Sequence, residues 1–230
     1  MKEDEKIIKI GAVCGIIAFL LLYSVIFLSG LLPGGGARTT EELLSAFGNA
    51  HNRAFSMGVF FLLTAFGLLM IVSLLGFHRF LTHERPSFAA TLAAVYGCIA
   101  FTLITIMLLI QGTVKVRMGE IFSAANETER QVIVKIYRSM RAVDFGIDLG
   151  WYVFICISVF LLGISMFRNR HFGPKFAIPG MLVGIVLLTI NVVTVLTSTP
   201  RSNLIDLCLL WFLIASIQLL RKAKFVSKTP

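Results

Sequence analysis

Asp144 and Asp148 stand four residues apart, so on a helix they share one face. Two carboxylates placed that way can hold a cation, act as acid and base, or pair with arginine. Other polar groups gather at the same ends of apolar stretches: Lys115, Arg117 and Arg141 nearby, with Gln111 and Asn191 slightly deeper. If the stretches converge, His51, Arg53, Gln111, Asp144, Asp148, Asn191, Arg201 and Asp206 line an outward-facing pocket of mixed charge. Such a pocket suits a lipid or a small amphiphile; the alternative is a role in membrane assembly or sensing. With His51, the three aspartates would instead make an acid–base set for an intramembrane enzyme. A simpler reading needs no pocket. Asp144 opens one helix and Asp206 follows Asn203 by three residues at the start of another, where carboxylates cap free N–H groups and favour the helix dipole. Arg53, Lys115 and Arg201 would then snorkel to headgroups. No catalytic residue is assigned.

Other chemistry finds little footing. His78 and His83 share one turn, His171 lies on another and His51 falls at the opposite end, without a zinc spacing. Cys14, Cys98, Cys156 and Cys208 each sit inside an apolar run, as buried small hydrophobes do. The Gly34–Gly36 run lacks the following GK[ST] of a phosphate loop. Neither a metal nor a cofactor is expected. Trp151, Tyr152 and Phe154 follow Asp148, as aromatics at a membrane interface do.

The elements that must position these groups are apolar and long. Of 230 residues, 57 % are hydrophobic and 14 % charged, and the mean hydropathy is +0.88. A soluble domain carries about 25 % charge. The stretch 176–199 has no charged residue, and roughly 20 apolar residues cross a bilayer. In it Gly180, Gly184, Asn191, Thr194 and Ser198 fall near one face, where small residues admit a neighbouring helix and the amide and hydroxyls bond across. Gly11 and Gly15 form a GxxxG of the same kind.

The fold expected is all-α: one integral membrane domain, a six-helix bundle with spans at about 7–32, 54–77, 88–114, 146–167, 176–199 and 204–220. Thr39 to Glu42 open a short surface helix. Asn126 and Glu129 resemble a capping box that starts an extra amphipathic helix over about 127–143, between spans three and four. Its apolar side is Val132, Ile133, Ile136, Tyr137, Met140 and Val143.

The net charge of +9 does not indicate nucleic acid, because the basic residues lie in short runs between apolar blocks. Lysines and arginines number 12 on the side of the two termini and 9 on the other, six of those in the connection 115–143. The positive-inside rule then places both termini in the cytoplasm. The partners expected are the bilayer and a lipid or amphiphile. No charged residue lies near the middle of a span. That counts against a proton pump or a carboxylate-coupled transporter, and leaves a channel or an uncoupled carrier open. Leu74-Leu75-Gly76 and Leu161-Leu162-Gly163, each followed by a basic turn, Pro and Phe-Ala, echo one another as duplicated hairpins or convergent turns do.

Asp144-Phe-Gly-Ile-Asp148-Leu-Gly-Trp151, Leu161-Leu-Gly163 through Arg168, Pro179-Gly180 through Gly184, and the last span with Trp211 before a basic tail resemble a family of bacterial six-helix membrane proteins, the DUF4386 type. The resemblance covers residues 140–224. It implies six helices and a bacterial inner membrane, and adds no catalytic residue.

Overall fold

In lipid a backbone has no water to bond, so apolar runs close their hydrogen bonds within helices. The computed structural model describes residues 2–29, 39–83, 85–197 and 205–226. Among these, the ordered elements are helices: α1 (Lys2–Ser29), α2 (Thr40–Ala46), α3 (Ala50–Thr82), α4 (Phe88–Ala124), α5 (Glu127–Phe167), α6 (Pro174–Thr197) and α7 (Ile205–Val226). Five of them, α1 and α3 to α6, are long and apolar enough to cross a membrane. The chain is thus an all-helical protein of multi-pass membrane type.

The extra amphipathic helix is not a separate element. Residues 127–143 run on without a break into the expected fourth span, giving one helix of 41 residues. No proline falls within it. Gly146, the expected boundary, costs about 1 kcal/mol in a helix but does not end one. At about 1.5 Å per residue α5 is about 62 Å long and α4, with 37 residues, about 56 Å. A hydrocarbon core of about 30 Å leaves many turns of each outside it.

Two compact units divide the described chain. The first holds residues 1–19, 67–102 and 149–230. It is tight and mostly apolar. The first glycine of the GxxxG, Gly11, lies so close to Gly76 that a Cβ on it would meet the Gly76 Cα at 2.6 Å. Gly184 on α6 packs in the same way on the backbone of Cys156 and Phe160. Trp211 closes over Gly180 and its indole N–H donates to the Phe176 carbonyl at 3.0 Å. The polar half of the expected α6 face behaves differently. The Asn191 amide donates to the Leu187 carbonyl of its own helix at 2.8 Å, and Ser198 lies outside the described residues. The Ser158 hydroxyl does reach a neighbour, donating to the Ala93 carbonyl at 2.7 Å. The two echoing turns end differently. Ser87 caps α4, its hydroxyl accepting from the Ala90 N–H, whereas Gly173 takes a φ of 69° before Pro174 opens α6.

The second unit holds residues 20–66 and 103–148. Its core is Leu44, Phe122, Ile133, Val134 and Tyr137. The short helix α2 starts with a capping box between Thr39 and Glu42. Gly119 seats its end: a Cβ there would meet the Phe47 backbone carbon at 2.9 Å and the Leu44 carbonyl at 3.0 Å. The second box is also present, with Asn126 N–H donating to Glu129 at 2.9 Å and Glu129 N–H to Asn126 at 3.0 Å. The expected apolar side of 127–143 splits in two. Ile133 and Tyr137 turn into the core, joined by Val134, while Val132, Ile136 and Val143 form an exposed stripe.

Candidate functional site

The polar residues are gathered in the second unit by two helix stripes. Along α4, Met107, Gln111 and Lys115 recur every four residues and so share a face. Along α5, Tyr137, Arg141, Asp144 and Asp148 recur at steps of four, three and four and also share a face, because the helix continues through the expected boundary. The two stripes, with Leu43 and Phe145, enclose a cavity of about 360 Å³. That lies within the range of small-molecule sites, about 300–1,000 Å³.

Lys115 is half-buried, and its ammonium lies 5.3 Å from the centre of the Phe60 ring. A cation there is held by the ring's negative face. Asp144 is half-buried and shares the cavity lining with Gln111, Lys115 and Arg141. Tyr137 is buried and lines the same space as these charges. Asp148 stands one turn further along. The charged group bearing on it is Asp144, a second carboxylate. No ion pair of 4 Å or less joins Lys115 or Arg141 to either aspartate; the pairs among the described residues lie elsewhere, as between Arg79 and Asp4 at 2.6 Å.

Of the eight residues expected around one pocket, Gln111, Asp144 and Asp148 line this cavity together. His51 and Arg53 do not. The His51 N–H donates to the Asn49 side chain at 2.8 Å, at the start of α3. Arg53 donates to the Gly48 carbonyl at 2.6 Å and the Phe47 carbonyl at 3.4 Å, satisfying the end of α2. Asn191 is engaged within α6, and Asp206 lies in the first turn of α7, both in the other unit. Arg201 lies outside the described residues.

Lys115 and Arg141 were placed with the outer-end charges by sequence reasoning, and Tyr137, read as part of an apolar side, was not. The signal for Tyr137 was present: positions 137, 141, 144 and 148 form one helical stripe as soon as α5 is read as continuous. The histidines stay apart from the cavity. His78 shares a hydrogen bond of 3.2 Å with Thr91, His83 lies 3.6 Å from Asp4, and His171 sits edge-on to Phe80.

Long apolar helices that also carry a charged, capped unit define a multi-pass helical membrane protein. The chain belongs to the family described as a domain of unknown function, DUF4386, which matches residues 9–221. The match extends well beyond residues 140–224, into the amino-terminal half. No curated protein and no solved structure matches the chain.

Proposed function

We propose that this is an integral membrane protein that binds a lipid or small amphiphile in the cavity between α4 and α5. The observation that carries the reading is the state of the four charges. Lys115, Arg141, Asp144 and Asp148 face one space of about 360 Å³, yet no direct ion pair closes between them. Three of them, Lys115, Asp144 and Asp148, are half-buried, and half-buried charges left without an ion pair are costly unless something else meets them. Leu43, Met107 and Phe145 give the same space an apolar wall, and Phe145 is 57 % exposed, so a tail has a surface to follow. An acid–base reading of the carboxylates lacks its histidine, since His51 does not line the cavity.

The wider setting is a bacterial cell membrane crossed six times, with α7 as the sixth span and both termini in the cytoplasm. α7 has 22 residues, and its basic end at Arg221, Lys222 and Lys224 suits the positively charged side. The cavity then faces outward.

Native mass spectrometry of the full chain in mild detergent tests the reading. A discrete lipid-sized mass is expected on the wild type and is expected to disappear in the double variant Lys115→Met, Asp148→Asn. A bare wild-type chain, or an adduct indifferent to both substitutions, overturns it.

A further inference from the structure

The charges in the cavity are not mixed at random. Lys115, Arg141, Gln111 and Asp144 also line a smaller void together, which Asp148 does not border, so that end holds two cations against one carboxylate. Asp148 lies one turn past Asp144 on α5, and no lysine or arginine of the lining follows it along that helix. One end of the space therefore carries an excess of one positive charge and the other an excess of one negative charge. From Arg141 to Asp148 is seven residues, about 10 Å along the helix axis, and from Asp144 to Asp148 about 6 Å. A ligand that neutralises both ends carries an anion and a cation a few ångströms apart.

Resting on the amphiphile reading above, we infer that the cavity takes a zwitterionic phosphate–ammonium headgroup, its phosphate at Lys115 and Arg141 and its primary ammonium at Asp148. A phosphate suits the first end because Arg presents a fork of N–H donors to it and Lys a compact charge. The second end selects the kind of ammonium. A primary ammonium has three donors for a carboxylate, whereas a quaternary one is recognised by an aromatic cage. The aromatic residues lining this space are Tyr137 and Phe145, and Tyr137 shares the smaller void with Lys115 and Arg141, so a single lining ring, Phe145, is left for the Asp148 end, and one ring is not a cage. The same chemistry exists as a lipid headgroup and as free phosphoethanolamine.

The test reconstitutes the full chain in nanodiscs of equal parts phosphatidylethanolamine, phosphatidylcholine and phosphatidylglycerol and reads the retained lipid by native mass spectrometry. The wild type is expected to keep phosphatidylethanolamine about tenfold over each of the others, the size of one charged hydrogen bond. Asp148→Asn is expected to bring it level with phosphatidylglycerol, and Asp148→Glu to restore most of the preference, which separates recognition from loss of fold. Phosphatidylglycerol retained as well as phosphatidylethanolamine on the wild type overturns the zwitterion and leaves the amphiphile reading standing. No retained lipid at all overturns both. Free phosphoethanolamine displacing the lipid at equal concentration overturns the lipid as the source.

Discussion

The two units solve the problem of polar groups in opposite ways. In the unit built from residues 1–19, 67–102 and 149–230, side chains are removed so that backbones touch. Gly11 meets Gly76, and Gly184 meets the chain at Cys156 and Phe160. Hydroxyls stand in for larger polar groups there. That of Ser158 bonds a neighbouring carbonyl, while those of Ser73 and Ser216 are buried opposite Gly15 with no hydrogen bond. In the unit built from residues 20–66 and 103–148 the helices are held by capping boxes and by arginine on freed carbonyls, around a small core. Its charges line a cavity. Without a hydrophobic drive between helices in lipid, close van der Waals contact must do the work, and a glycine seam supplies it. Where turns of α4 and α5 exceed the hydrocarbon thickness, water restores the value of caps and apolar burial. The difference leaves close packing to the first unit and an open set of charges to the second.

The largest blow to that division falls on the seam. A side chain at Gly76 has nowhere to go, since a Cβ there would lie 2.8 Å from the Gly11 Cα, and backbone cannot swing aside as a flexible side chain can. Gly76→Val is expected to cost about 3 kcal/mol, the upper part of the range for overpacking. Thermal unfolding in detergent, followed by the loss of the monodisperse peak in size-exclusion chromatography, measures it. A variant as stable as the wild type would mean that the seam does not hold the first unit together.

The second unit is sharpened by a smaller change. Asn126→Ala removes one partner of the box with Glu129 and frees the N–H of Glu129, and about 1 kcal/mol is expected. Because a cap acts locally, hydrogen exchange should quicken over residues 127–131 while residues 150–165 stay protected. Equal protection in both stretches of α5 would show that the charged half owes nothing to its cap.

Much of this architecture was legible in the sequence. Apolar runs gave the helices, because a bilayer permits few other structures. Asn126 with Glu129 announced a helix start, and Gly11 with Gly15 announced a contact face. The face shared by Asp144 and Asp148 followed from spacing alone. What stayed hidden depends on context. A charge and a glycine at 144–146 read as a span boundary, yet neither breaks a helix, so the stripe from Tyr137 to Asp148 was cut in two. Ile133 and Val132 are adjacent residues, about 100° apart on a helix. Periodicity cannot say which of two neighbouring stripes turns inward when both are apolar. Arg53 looked like a pocket residue or a headgroup anchor, and instead closes carbonyls at the end of α2, a partner that no spacing rule could supply.

The finest test of the comparison lies inside the first unit and uses serines alone. Ser158 and Ser216 are both buried hydroxyls, but one is bonded and the other is not. Losing the bonded one strands the Ala93 carbonyl lone pair that it served, and hydrogen bonds between membrane helices average about 0.6 kcal/mol. Ser158→Ala is therefore expected to lower stability by about that amount. Ser216→Ala removes a hydroxyl that already lacks a partner. The change relieves the desolvation of an unsatisfied group, so stability should hold level or rise slightly. Both substitutions delete one oxygen from a packed site, so the cavity cost is shared and the difference between them isolates the hydrogen bond. Unfolding of the two variants side by side, in the same detergent, reads that difference. If both lose stability equally, the Ser216 hydroxyl has a partner in the membrane, and the seam beside Gly15 holds a bound water rather than dry packing.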